Sequence, residues 1–267
     1  FARPFAGVRL ILKNLVRRFR SLGGELRLRS GVQRICVENG HVSGVVLDNG
    51  DELTANNVLS SAGWVETMRM WDDVSDVGKT KAGQLSFTEC VSILDTQPKK
   101  IGNPNTIIFY NDSENFHWEK PDQQLCDVRT GVICSPNNFC YSPKNGDLPD
   151  GVVRVTSLAN FPRWNDLTEE QYKVEKLKWF DRVIESAVRF VPDYRNRIVD
   201  YDMFTPTTIR RFTWHDNGAV YGAPDKHFDG RTHLDNLFIC GTDQGFVGII
   251  GAIISGISIS NQYLLRD

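Results

Sequence analysis

Apolar residues along this chain recur with two periods, and the periods divide it into elements. Val8, Ile11, Leu12, Leu15, Val16, Phe19 and Leu22 follow helical spacing, with Arg9, Lys13, Arg17, Arg18 and Arg20 on the remaining positions. Gly23-Gly24 stops that helix. Residues 26–29, 32–37, 42–47 and 52–55 are apolar runs of strand length. Asn39-Gly40 and Asn49-Gly50 are two-residue hairpin signals, so this part predicts a β-meander. Residues 58–63 predict a short buried strand with a small-residue end, and 64–71 a short helix.

The middle of the chain alternates strand and turn signals. Residues 86–94, 106–109, 131–134, 152–158 and 198–204 predict strands. Residues 111–127 form a polar loop with Pro121, and 143–150 a turn-rich connection. Thr168 is a good N-cap, with Gln171 three positions on completing a capping box. Val174, Leu177, Phe180, Val183, Ile184, Ala187, Val188 and Val191 then mark a long amphipathic helix ended by Pro192. Phe87, Val91, Ile93, Ile107, Phe109, Val153 and Val155 predict an apolar surface bordering a channel.

The last stretch joins both periods. Leu237, Phe238, Ile239 and Cys240 read as a buried strand, Gly241 ends it, and Asp243 lies in the turn. From Gly248 a helix begins, with Gly248, Gly251, Ala252, Ser255 and Gly256 on a small-residue face and isoleucines elsewhere. Its all-round hydropathy predicts almost complete burial. A helix N-terminus presents unpaired N–H groups, and glycines let a ligand approach the backbone. An acid such as Asp243 beside that turn can accept a hydrogen bond from a ribose or ribityl hydroxyl. From spacing alone, a cofactor site and a tightly packed helix are both open readings.

Composition narrows the field. The chain has 267 residues, 40% of them hydrophobic, which permits a substantial core. A net charge of −2 gives no drive toward nucleic acid. No apolar run reaches the ~18 residues of a membrane span. Cys36, Cys90, Cys126, Cys134, Cys140 and Cys240 form no CxxC, and the histidines do not cluster near them, so no metal site is expected. A reduced, cytoplasmic setting follows. The basic amphipathic helix over 8–22 allows two readings: a peripheral contact with anionic lipid, or an ordinary docked helix with a solvated face, the latter favoured.

Three segments, in order, resemble the FAD-dependent phytoene desaturase, carotenoid isomerase and retinol saturase superfamily of amine-oxidase-like flavoproteins. These are Pro4-x-x-Gly7 with the helix and Gly23-Gly24-Glu25; Thr205-Pro206-Thr207-Thr208 with Gly218-x-x-Tyr221-Gly222; and Gly241-x-Asp243-x4-Gly248-x2-Gly251-Ala252. The resemblance implies an α/β fold: the C-terminal part of a Rossmann-like FAD-binding domain with a β-meander, interrupted by an α+β substrate-binding module. Residues 1–66 and 205–267 would belong to the FAD-binding domain and 67–204 to the module. It implies FAD as cofactor, contacted by Val32, Ala62, Gly63, Gly241, Thr242, Asp243, Gly248, Ile249 and Gly251. Tyr221 and Arg210 are the candidate catalytic residues, Tyr221 packing on flavin or substrate and Arg210 orienting a substrate end. The substrate would be an apolar polyene.

The chain has no GxGxxG, which in that superfamily cradles the pyrophosphate. The expectation is therefore a C-terminal part whose N-terminal FAD-binding segment is supplied in cis or in trans, inactive alone. Another amine-oxidase-like flavoenzyme, acting on an amine or a porphyrinogen, and a non-catalytic fragment without cofactor are the alternatives. His215-Asp216 reads as a loop feature, and no nucleophile–base pair stands out.

Overall fold

The computed structural model describes residues 3–71 and 81–265. It opens with α1 (Val8–Ser21), β1 (Val32–Glu38), β2 (His41–Leu47), β3 (Glu52–Thr54), β4 (Val58–Ser60) and α2 (Trp64–Arg69). Strands β5 (Ser86–Leu94), β6 (Ile107–Asn111), β7 (Cys126–Cys134) and β8 (Gly151–Ala159) follow, then α3 (Phe161–Asn165) and α4 (Glu169–Ala187). The chain ends with β9 (Ile198–Phe204), α5 (Pro206–Thr213), β10 (Leu237–Ile239) and α6 (Gly248–Ile259). These form two compact units, Phe1–Arg27 with Phe87–Pro206, and Leu28–Ser86 with Thr207–Asp267.

The first unit is an α+β layer. Its sheet has the order β6-β7-β8-β5-β9. Residues alternate in and out along β5 and β8, as a sheet with one covered face requires. Cys90, Leu94, Ile133, Val153 and Val155 meet Trp179, Phe180, Val183, Ile184 and Ala187 of α4 in one core. The capping box forms as expected. The Thr168 hydroxyl accepts from the Gln171 N–H at 3.3 Å, and the Gln171 side chain accepts from the Thr168 N–H at 2.9 Å. Val174 and Leu177, counted in the amphipathic stripe, are exposed, while Tyr172 of the first turn packs on the core.

Two expectations change here. Val153 and Val155 are fully buried beneath α4 and border no channel. Phe87, Val91, Ile93, Ile107 and Phe109 lie on the other, less buried face, alongside the Glu89–Arg154 ion pair. A strand alternates its faces at every residue, so an apolar list that ignores parity mixes the two. The helix α1 also departs from the docked reading. None of its residues is buried, and Leu12, Leu15 and Phe19 are exposed.

The second unit holds the meander β1-β2-β3, whose strands pair antiparallel, and a parallel pair of β4 with β10. Asn39 and Gly40 both take positive φ, which the tight first hairpin requires. The strand expected over 26–29 is absent: Arg29 has φ 57°, which breaks an extended run. Asn236 joins meander to pair, its side chain accepting from the Val42 N–H and donating to the Val42 and Asn56 carbonyls, each at 2.8 Å. Ile35, Val42, Trp64, Val65, Met68, Leu234, Leu237 and Ile239 close one core. Phe238, Cys240 and Ile259 close another.

The helix α6 overturns its predicted burial. Only Ser255 and Ile259 are buried, and Ile249, Ile250, Ile254 and Ile257 are exposed, Ile250 at 61%. One side packs on β10; among the described residues nothing covers the rest. Hydropathy states that a surface avoids water, and it leaves open which segment supplies the cover.

The capping box gives the first prediction. Thr168→Ala leaves the first turn of α4 without its side-chain acceptor and should lower stability by about 1 kcal/mol. The shift in the urea unfolding midpoint of the purified chain measures it, and an unchanged midpoint would rule the cap out as a stabilising element.

Candidate functional site

All eleven residues singled out by sequence fall in the second unit. The centre is Asp243, at the turn between β10 and α6 and 1% exposed. Its Oδ2 accepts from the backbone N–H of Trp64 at 2.6 Å, and its Oδ1 from that of Ala223 at 2.8 Å. Its own carbonyl accepts from the His227 N–H at 2.8 Å. One side chain thus ties together the first residue of α2, the Tyr221-Gly222 segment and the Gly241 turn. A carboxylate is suited to this, because it is all acceptor and backbone N–H groups are all donor.

One neighbouring glycine is dictated by that clasp. Gly222 has φ 67°, and a Cβ there would collide with Asp243 Oδ1. Gly63, the residue before Trp64, has φ 105° and caps α2. The turn is stitched further: the Gly241 N–H donates to Ser255 Oγ at 2.6 Å, Ser255 Oγ donates to Gln244 Oε1, and Gln244 Nε2 donates to the Phe228 carbonyl at 3.0 Å. Lys226 Nζ donates to the Tyr221 carbonyl at 2.6 Å. Partial burial pulls the Lys226 pKa down, against the opposing pull of Asp243.

The open part of the site is glycine backbone. Gly241 (φ 88°) and Gly248 (φ 75°) have nothing within 4 Å of where a Cβ would stand. The N-cap of α6, Val247, makes no side-chain cap, and no acid occupies the first turn. Unfilled N–H groups beside bare glycine fit a planar ligand with acceptor atoms, such as a flavin. Asp243 is turned the other way, into the protein.

The structure thus brings Gly63, Gly241, Thr242 and Asp243 together around one carboxylate, with Ala62 adjoining. Gly248, Ile249 and Gly251 follow on the first turns of α6, with Gly248 and Ile249 exposed. Tyr221 is 42% exposed on the segment held by Ala223. Val32 stands apart from the clasp, at the start of β1 opposite Leu47. Arg210 lies on α5, where its carbonyl accepts from the Trp214 N–H. Sequence reasoning missed the backbone N–H groups of Trp64 and Ala223, which no side-chain pattern encodes. It also passed over Glu66 with His215; Gly63 was the available signal, since a glycine at a helix cap leaves room for what packs above it.

Comparison with known proteins finds sequence likeness to enzymes named for carotenoids and retinol, and a shared fold with solved oxidoreductase structures. The chain is 25% identical to prolycopene isomerase of Daucus carota over 97% of its length and 43% of the relative's. It is 25% identical to 4,4'-diapolycopene oxygenase of a Methylomonas species, over 82% and 46%. It is 24% identical to all-trans-retinol 13,14-reductase of Danio rerio, over 99% and 49%. The chain spans about half the length of the curated relatives it matches. No family model matches. An oxidoreductase from Methanosarcina mazei shares the fold with a TM-score of 0.61 at 14% identity, over 96% of this chain and 54% of that one. A redesigned putrescine oxidase shares it with a TM-score of 0.58 at 12% identity, over 94% and 52%. The likeness read from the three sequence segments, to carotenoid isomerases and retinol saturases, holds along almost the whole chain.

Removing the clasp should act on folding before it acts on any ligand. Asp243→Ala leaves two buried backbone donors unpaired, a cost of about 2–4 kcal/mol. Asp243→Asn sets an amide NH2 against one of those donors and should cost at least about half as much. Thermal melts of the chain without flavin should therefore show both losses; a melt matching wild type would reduce Asp243 to a ligand contact.

Proposed function

We propose that this chain is the flavin-contacting part of an FAD-dependent oxidoreductase that acts on an apolar polyene, a carotenoid or retinoid, by desaturation, saturation or flavin-assisted isomerisation. The observation that carries the reading is the open glycine turn at Gly241 and Gly248, held by Asp243, in a chain whose relatives are named for polyenes. FAD, when bound, supplies hydride transfer.

The chain's own residues do the rest. Gly241, Thr242, Gly248, Ile249 and Gly251 offer backbone and a bare helix start to the isoalloxazine side. Val32, Ala62 and Gly63 border the ADP side. Asp243 keeps the turn in shape and positions Tyr221 through Ala223. Tyr221 packs on flavin or substrate, and Arg210 orients a substrate end. In the first unit, the sheet face bearing Phe87, Val91, Ile93 and Phe109 forms a wall for an extended hydrocarbon.

A further protein segment, in cis or in trans, supplies the pyrophosphate cradle and covers the isoleucine side of α6. Two observations support that segment: the apolar side of α6 stands open, and the relatives run to about twice the matched length. The basic flank of α1 suits a peripheral contact with an anionic membrane. No helix among the described residues is long and apolar enough to cross one.

Two measurements test this reading. The absorption spectrum of the protein with FAD should show bound flavin that is reduced or reoxidised on adding a carotenoid or retinoid. Turnover of small amines alone would overturn the polyene assignment. Gly248→Val should abolish FAD binding while the second unit stays folded, because a β-branched side chain fills the open approach at φ 75°. Backbone strain there costs about 1–3 kcal/mol, short of unfolding. Flavin titration of the variant at wild-type affinity would remove Gly248 from the site.

A further inference from the structure

A cluster of charged side chains at the start of α2 is left over from this account. Glu66 lies in the first turn of α2, with His215 Nδ1 3.5 Å from its Oε1; the His215 side chain is 12% exposed and that of Glu66 15%. Glu66 Oε1 also accepts from the Asp216 N–H at 2.7 Å. The Asp216 carboxylate is held in turn by two N–H groups of Arg69, at 2.7 and 3.3 Å. Two consecutive loop residues are therefore fastened to two residues three apart on one helix, which share a face.

This fastening meets the Asp243 clasp at a single peptide. A Cβ on Gly63 would strike the Glu66 carboxylate and come within 3.0 Å of the His215 ring. The next residue, Trp64, gives its N–H to Asp243. The loop is also strained. Trp214 (φ 62°) and Asn217 (φ 58°) stand in the left-handed region on either side of His215-Asp216. For a residue as bulky as tryptophan that backbone is costly, and it persists only where the surroundings enforce it. The enforcing contacts are the Trp214 N–H to the Arg210 carbonyl at 2.8 Å, Asn217 Nδ2 to the Gly83 carbonyl at 2.9 Å, and the Glu66 and Arg69 pairs.

The groups facing His215 are Glu66 from α2, Asp216 from its own loop and Asp243 from the clasp turn; Arg69 of α2 is engaged by Asp216. Glu66, first among them, holds the imidazole pKa above its ordinary value, against the opposing effect of burial. A raised folded-state pKa gives a contribution that is complete below the ordinary imidazole value of about 6.5. It is lost as pH rises through the folded value.

We propose that Glu66 and His215 form a proton-dependent latch that fixes the 214–223 loop on the start of α2, and that through Gly63 and Ala223 it sets the affinity of the flavin site. The second half rests on the flavin reading above; the first stands without it. Glu66 is a positioning residue acting through His215.

Hydrogen exchange at the Asp216 amide reads the latch directly. Between about pH 6 and about pH 8.5, either side of the imidazole range, its protection factor should fall at least about tenfold in wild type. In Glu66→Gln, which keeps an acceptor and loses the charge, it should be low and independent of pH. NMR titration should place the His215 pKa above the ordinary value in wild type and lower it in Glu66→Gln. A protection factor flat with pH in wild type, with a normal His215 titration, would overturn the latch. The Kd for FAD of the protein that binds it should weaken over the same pH range in wild type and stay level in Glu66→Gln. A titrating latch in a protein that takes no flavin would leave the latch standing and sink the flavin reading. A pH-independent Kd alongside a titrating latch would overturn the coupling.

Discussion

The second unit depends on one buried carboxylate. Asp243 makes hydrogen bonds to backbone donors from two segments remote in sequence, at Trp64 and Ala223, and its own backbone anchors the loop at His227. A buried acceptor must be satisfied, and here its partners are main-chain groups that any residue could supply. The constraint therefore falls on conformation. Gly222 takes positive φ and yields its side-chain volume to Asp243, and Gly63 yields its volume to Glu66 and His215. Gly241 and Gly248, at either end of the same turn, have nothing within 4 Å of where a Cβ would stand.

That arrangement separates two jobs often assigned to one residue. The acid in a glycine-rich turn is the natural candidate for a cofactor hydroxyl. Here the inward hydrogen bonds give it a structural load. The charged neighbours add a second layer. His215 and Lys226 both lie within electrostatic reach of Asp243, one with its pKa raised and the other with its pKa lowered by burial. The local field around the turn thus comes from few groups, each fixed by a named hydrogen bond.

The apolar sides of α1 and α6 show the limit of a core count. The first unit closes a large core between one helix and one sheet face. The second distributes its core over small clusters and leaves isoleucines of α6 in solvent. In α1 the same happens with a strongly basic flank. Burying such surface is worth roughly 25 cal/mol per Å². These faces are where association with further protein or a lipid surface has the most to gain.

Local sequence determined what local chemistry can specify. The capping box fixed the start of α4, the Asn39-Gly40 pair fixed a hairpin, and apolar runs of strand length marked β5 and β8. Glycine spacing marked the turn from β10 into α6, and segment order carried the likeness to polyene enzymes. Tertiary structure decided what depends on partners. The 26–29 run is no strand because Arg29 turns left-handed. Val153 and Val155 belong to the core because α4 covers that face of the sheet. Asp243 faces inward because Trp64 and Ala223, distant along the chain, bring unpaired N–H groups to it. A sequence records which atoms can donate, accept or avoid water; only the folded chain decides which of them meet.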